Sequence, residues 1–387
     1  MAEQSRPGPA ELEAAGLYDP ESGDAPERLA LLEYVLQIGV TIDELVAAKP
    51  GELPALASVI ALWSDRERLS LDEVAVASGV EHELIARTWR AAGFPEPDPD
   101  PSVRPFTRRD VEILETLRAG IEFLSEDVAI QLTRVLSASA ARVAEASVTA
   151  FMVNVVRPAV EHDPSGLELT RRNVESMVLV DGLTRAFDTF LRHHIERGFR
   201  PVEEMLGIEG IDLVYRSVGF ADLVGSTSWT QELDISALSR ALTAFDSTAS
   251  ETVVARGGRV VKLIGDEVMF VADDAATGVA TALDLVEAFA SHDLLPPVRA
   301  GIATGNVVAR DGDYSGPVVN LAARAVKNAD PSTVLADAAT VDALATSSDF
   351  SCAAAGSYTL KGFAEPAQLS RVTRTVTPPR EPRPRAG

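Results

Sequence analysis

Lys262-Leu263-Ile264-Gly265-Asp266-Glu267 reads as the tip of a β-hairpin. Residues 259–264 and 267–272 are rich in apolar and β-branched side chains, as strands are. Gly265-Asp266 supplies the turn between them. Working outward, a strand is predicted at 213–220 and a helix at 235–255. After the hairpin come a helix at 275–292 and a strand pair at 298–303 and 306–309. A helix at 317–329 and a strand at 333–336 follow. This β-α-β-β-α-β order predicts an α+β, ferredoxin-like unit, an antiparallel sheet with helices on one face.

The chemistry-bearing residues gather around that hairpin. Asp222 closes the first strand in Phe220-Ala221-Asp222, just before Leu223-Val224-Gly225-Ser226-Thr227. Asp266 sits at the hairpin tip. Antiparallel neighbours can bring two such carboxylates together, where they repel unless a cation joins them. Magnesium takes hard oxygen ligands and keeps positions open for phosphates. Two ions so held can activate a hydroxyl and grip a triphosphate. For either Asp alone, shaping a turn is the commoner role.

Asn320 and Arg324 lie four apart on a predicted helix and share a face. Arginine grips phosphate bidentately, and asparagine can orient a sugar oxygen. Taken alone, the pair reads equally as a solvated helix face. Lys262 and Asp313, the latter expected in a loop, offer a donor and an acceptor to a base edge. Adenine presents a ring-nitrogen acceptor beside an amino donor, which suits that pair; guanine presents the opposite pattern.

Taken in order, Phe220-Ala221-Asp222, Lys262 to Asp266 and Asp313 to Arg324 resemble the three motifs of the class III nucleotidyl cyclases. The resemblance covers roughly residues 211–373. It implies that Asp222 and Asp266, helped by the Leu223 carbonyl, ligate two Mg2+ or Mn2+ ions per active site. It implies that Lys262 and Asp313 select adenine, Asn320 orients the ribose and Arg324 stabilises the transition-state phosphorus. Lys361, in Leu360-Lys361-Gly362-Phe363, resembles a late family lysine that meets the terminal phosphates. Some relatives carry a basic residue just before the strand that follows the Asn/Arg helix; Thr333 stands near there. The resemblance further implies a head-to-tail homodimer. One subunit gives the two Asp residues, and the other gives Lys262, Asp313, Asn320 and Arg324. The implied reaction is ATP to 3′,5′-cyclic AMP and pyrophosphate.

The first half has a different character. Residues 1–25 read as a flexible N-terminus and 26–197 as an all-helical regulatory domain. A linker is expected at 198–210, the catalytic domain at 211–376 and a disordered tail at 377–387. Thr41-Ile42-Asp43-Glu44 is a helix cap signature, and a similar phrase at 120–128 suggests a second helical hairpin with its break at Gly120. Pro95 to Pro101 is a stiff acidic linker. Residues 70–87 read as a helix-turn-helix with Gly79 at the turn. Yet residues 65–90 hold four Arg against six acidic residues, a poor match to phosphate backbone. The acidic helical half before the cyclase is similar to actinobacterial soluble cyclases whose N-terminal half inhibits catalysis and senses pH. His193 and His194, near the linker, are candidates for that role. The apolar helices at 135–156 and 174–191 are candidates to enclose a fatty acid.

The bulk numbers agree. Across 387 residues, 58 acidic against 35 basic side chains give a formal net charge of −23, which disfavours nucleic acid as a partner. A single cysteine forms no internal disulfide. With no signal-like start and no uncharged run near the ~18 residues of a membrane span, a cytoplasmic protein without a span is expected. The competing readings are a guanylyl cyclase, a catalytically silent nucleotide-binding module on the cyclase fold, and a DNA-binding regulator.

Overall fold

The computed structural model describes residues 7–49, 51–63, 66–162, 166–198 and 213–375. The chain divides into two compact units, Met1–Phe199 and Arg200–Gly387. Apart from Gly198, the expected linker and the expected tail lie outside the described residues.

The first unit is helical: α1 (Pro9–Ala14), α2 (Ala25–Gln37), α3 (Ile42–Ala47), α4 (Leu53–Leu62), α5 (Leu71–Ser78), α6 (His82–Ala91), α7 (Arg108–Leu124), α8 (Glu126–Phe151), α9 (Arg157–His162) and α10 (Leu167–Gly198). Capping boxes open α3 and α5. The Thr41 and Ser70 amides bond to Glu44 and Glu73, each at 2.8 Å. Such caps contribute about 1 kcal/mol each. Gly79 ends α5 in the left-handed region, with φ 66°.

Three expectations are corrected here. Residues 7–25 are not a flexible arm: α1 buries Leu12 completely against Leu31, Leu32 and Val35. One well-placed leucine outweighs the proline-rich, acidic composition around it. Gly120 does not break the second hairpin either. It lies inside α7, and the break falls at Ser125, whose φ is 106°. Finally, α8 continues through a π-turn at Met152–Val156 into α9. A wide turn just before Pro158 accommodates that residue's missing N–H. The resulting helix, Glu126–Val160, is 35 residues long and apolar enough by length and composition to cross a membrane, and only 6% of its apolar window is buried. Arg134, Arg142 and Glu145 punctuate it, which is why a search for an uncharged run passes over it.

The second unit is built on a sheet. Its elements are β1 (Leu213–Leu223), α11 (Ser226–Gln231), α12 (Ile235–Ala255), β2 (Arg259–Ile264), β3 (Glu267–Ala272), α13 (Ala275–Ala290), β4 (Val298–Arg310), β5 (Asp313–Ser315), α14 (Pro317–Asn328), β6 (Val334–Asp337), α15 (Ala338–Ala343), β7 (Phe350–Tyr358) and β8 (Ala367–Arg374). The strand order is β2-β3-β1-β4-β6-β8-β7, with β5 paired to β4. The β4–β6 pair is parallel and the other pairs are antiparallel. The two strands expected at 298–303 and 306–309 are one strand. Thr304 and Gly305 stay in register with Ser217 and Arg216, so the glycine does not end it.

Alternation along the strands sorts the side chains into two layers. Ala221, Val268, Phe270, Ala300 and Ile302 pack with Phe245 of α12 and Leu285 and Phe289 of α13. Val218, Phe220, Met269 and Ala303 pack with Ala322 and Val326 of α14. The expectation of helices on one face is thereby corrected. Residues 318, 322 and 326 recur every four positions and give α14 an apolar stripe of its own. Gly301 makes room for it: a Cβ there would stand 2.2 Å from the Val326 backbone nitrogen.

Candidate active site

The face of the sheet that carries α14 also carries the site. On β1 the side chains of Val218, Phe220 and Asp222 point to it by alternation. Asp222 pairs in register with Glu267 on β3 and with Arg299 on β4. Three charged side chains from three adjacent strands therefore emerge together at one sheet end. Gly265, with φ 65°, turns the β2–β3 hairpin there and sets Asp266 beside them. The Asp266 carbonyl accepts from the Leu223 amide at 3.1 Å. Asp222, Leu223 and Asp266 line one polar cleft of about 550 Å³, with Gly225, Ser226, Ser228, Gln231, Arg299 and Lys327.

Asp222 is 4% exposed, so its charge needs partners. Arg299 donates to Oδ2 through Nε at 3.1 Å and Nη2 at 2.8 Å. Lys327, from the last turn of α14, stands 3.1 Å from Oδ1 and 3.1 Å from Oε2 of Glu267. Burial pushes the Glu267 carboxyl above its usual range; Lys327 opposes this, while Asp222 and Asp266 reinforce it. Burial alone would lower Lys327, but its bonds to Glu267 and Asp222 hold the ammonium above its usual value.

A second group links side chains of β2 and β5. Lys262 donates to Asp313, which sits in the short strand β5 rather than in a loop. Arg259 donates to the Tyr314 hydroxyl at 2.8 Å and stacks over its ring. Asn320 and Arg324 are exposed on α14, one turn apart. None of Lys262, Asp313, Asn320 and Arg324 lines the Asp222–Asp266 cleft.

The donor set of the cleft suits a hard divalent cation. It offers the carboxylates of Asp222 and Asp266, and Asp222 draws the cations Arg299 and Lys327 onto itself. Among the described residues no cluster of three metal-binding side chains is present. Water and phosphate oxygens would complete the coordination, as magnesium sites commonly allow.

The family description "Adenylate cyclase regulatory domain" matches residues 10–175, and "Adenylate and Guanylate cyclase catalytic domain" matches residues 215–373. A Streptomyces coelicolor protein named adenylate cyclase is 36% identical over 305 residues, covering 77% of each chain. The chain belongs to the adenylate cyclase family. The uncharacterized protein Rv2212 of Mycobacterium tuberculosis is 36% identical to this cyclase over 356 residues, which is 92% of this chain and 91% of that one. A pH-sensitive adenylate cyclase of the same species is 29% identical over 367 residues, 91% of this chain and 89% of the relative.

The remaining expected residues of the cyclase are dispersed. Lys361 lies exposed in the turn between β7 and β8, not on a strand edge. His193 and His194 are exposed near the end of α10, and His193 Nδ1 lies 3.7 Å from Glu196. Sequence reasoning missed Arg299, Lys327 and Glu267. It sought a cation near Thr333, ahead of β6, whereas the cations of the cleft come from mid-sheet and from α14. Alternation could have found Arg299, since it sits two residues before Gly301 on a strand facing Asp222. Lys327 lies seven positions beyond Asn320, on the same helical stripe.

Proposed function

We propose that this cyclase converts ATP to 3′,5′-cyclic AMP and pyrophosphate at composite sites between two copies of the chain, in the cytoplasm, under control of its helical N-terminal unit. The observation that carries this reading is the separation of the six motif residues into two groups. Asp222 and Asp266 share a cleft that Lys262, Asp313, Asn320 and Arg324 do not enter. A single ATP needs both groups, so a second copy supplies the missing half.

In this reading Lys262 and Asp313 contact the adenine edge, Asn320 holds the ribose, and the 3′-hydroxyl attacks the α-phosphorus in line. Arg324 stabilises the charge that grows on the phosphoryl oxygens, and pyrophosphate leaves. Asp222, Asp266 and the Leu223 carbonyl would hold two Mg2+ or Mn2+ ions. Bound there, they would lower the hydroxyl pKa and offset phosphate charge. Arg299 adds a fixed positive charge at the cleft, and Lys361 is assigned to the terminal phosphates. His193 and His194 are assigned to pH sensing, supported by their exposure beside Glu196.

The exposed apolar residues of α8 and α10, Leu132, Leu136, Val148, Leu179 and Leu183 among them, support a partner or fatty-acid surface on the regulatory unit. A groove of about 640 Å³ runs between Phe151 and Leu183 there. A DNA-binding role for α5–α6 is disfavoured. Arg87 is engaged by Glu126, and Arg90 by Glu96 at 2.8 Å. The deciding assay offers the purified chain ATP or GTP with Mg2+ or Mn2+ and identifies the product. Cyclic AMP from ATP, lost in Asp222→Ala, supports the reading. Full activity in Asp222→Ala would remove the metal assignment, and no cyclic product from the intact chain would leave the silent nucleotide-binding module as the better reading.

A further inference from the structure

The two oxygens of Asp222 have unequal partners. Oδ2 faces Arg299, which is tied down twice: through Asp222 and through Nη1, which donates to the Lys327 carbonyl at 3.2 Å. Arg299 also stands on a central strand in register with Asp222. Oδ1 faces Lys327, whose ammonium touches only carboxylates among its described partners. Its side chain is 45% exposed and rides on a flexible stem. One cation is therefore built in and the other can swing to water.

The charge count points the same way. Among the residues that line the cleft, Asp222 and Asp266 balance Arg299 and Lys327, and withdrawing Lys327 leaves one net negative charge there. The ammonium also lies on the oxygen that an entering cation would need. A cation at Oδ1 and an ammonium 3.1 Å from the same atom repel each other.

We propose that Lys327 is a tethered counter-ion that holds Asp222 and Glu267 in the metal-free cyclase and is displaced when a divalent cation enters, so that it sets the metal affinity of the site. It is a positioning residue acting through Asp222. The inference rests on the reading of Asp222 and Asp266 as metal-holding residues.

The test uses the full chain without nucleotide. Binding of Mn2+ is followed by electron paramagnetic resonance, and thermal unfolding is measured with and without saturating Mn2+. Lys327→Met should tighten Mn2+ about fivefold, the size expected for losing one competing, half-exposed ion pair. Lys327→Arg, which keeps a cation, should stay within about twofold of wild type. Without metal Lys327→Met should melt below wild type, and saturating Mn2+ should close the gap. A purely structural lysine would leave that gap open. Unchanged or weaker Mn2+ binding in Lys327→Met, or a gap that persists in Mn2+, overturns the inference while the metal site stands. No Mn2+ binding by wild type overturns both.

Discussion

Lys262 closes an ion pair with Asp313 across 51 positions of sequence, so the two residues assigned to the base edge meet before any nucleotide arrives. Burial would raise the Asp313 carboxyl. The Lys262 bond, the Tyr314 amide and the charges of Lys262 and Arg259 outweigh it and hold the group below its usual value. A carboxyl lowered in the folded protein is ionised above the ordinary carboxylate range. Its pairing is lost only as pH falls through the lowered value. The preference for ATP over GTP should therefore persist as pH falls to roughly 5. Lys262→Glu reverses the hydrogen-bond polarity at that edge. It should lower turnover of ATP by about 100-fold and shift the ATP-to-GTP ratio toward GTP, given about 1–3 kcal/mol for each mispaired polar group. Parallel kcat/KM measurements with the two nucleotides check both statements. A preference that is lost before pH falls to roughly 5, or a ratio that ignores Lys262→Glu, removes the base-edge assignment.

Lys262 and Asp266 stand four residues apart on one hairpin yet are assigned to different active sites. Lys262→Ala and Asp266→Ala chains should each lose nearly all activity. Mixed and allowed to exchange, half the dimers carry both variants, and each such dimer has one intact site. Activity should return to about a quarter of wild type. Rate of product formation against mixing ratio gives the answer. No recovery, with exchange verified by a tagged chain, would mean that both residues serve one site.

The hairpin was legible because local chemistry alone shapes it. Gly265 must reach positive φ, and apolar strands must flank it. Asp222 and Asp266 were legible as a pair because antiparallel neighbours are short-range partners. Helix α14 was legible as a helix, but its side of the sheet was not. That side is decided by Gly301, 21 to 25 residues upstream of the helical contacts a Cβ there would strike, and a lone glycine in a strand does not say what approaches it. Arg299 and Lys327 were missed for the same reason. Each finds Asp222 through tertiary packing, across 77 and 105 positions of sequence. Leu12 was missed because composition averages over a segment, while burial acts on single residues.

His193 and His194 are the assigned pH sensors, and the prediction is narrow. Replacing both with Ala should flatten the acid limb of the activity–pH curve. Activity on the alkaline side should change less than about twofold, since exposed surface substitutions rarely disturb a fold. An activity–pH curve that overlays wild type would return both residues to the solvated helix surface.

Gly301→Ala tests how the site is held. The added Cβ would meet the Val326 nitrogen at 2.2 Å and the Ala322 carbonyl oxygen at 2.7 Å, both backbone atoms that cannot rotate aside. Either α14 moves off β4 or the strand bends. Overpacking of this kind costs about 1–3 kcal/mol, and more where backbone must shift. The helix carries Arg324 and Asn320 on its exposed face and Lys327 over Asp222. A shift of about 1 Å in such positioning groups can lower a rate 100-fold. Gly301→Ala should thus reduce kcat far more than its loss of stability suggests, with the far-ultraviolet circular dichroism spectrum unchanged. Gly312→Ala is the control: at φ 80° it is strained, but no atom lies within 4 Å of the new methyl. It should lower the melting temperature while leaving kcat within about threefold of wild type, because strain in a surface turn costs of order 1 kcal/mol and moves no helix. If Gly301→Ala lost stability and activity only in step with Gly312→Ala, the close approach of α14 to β4 would not be what positions Asn320 and Arg324.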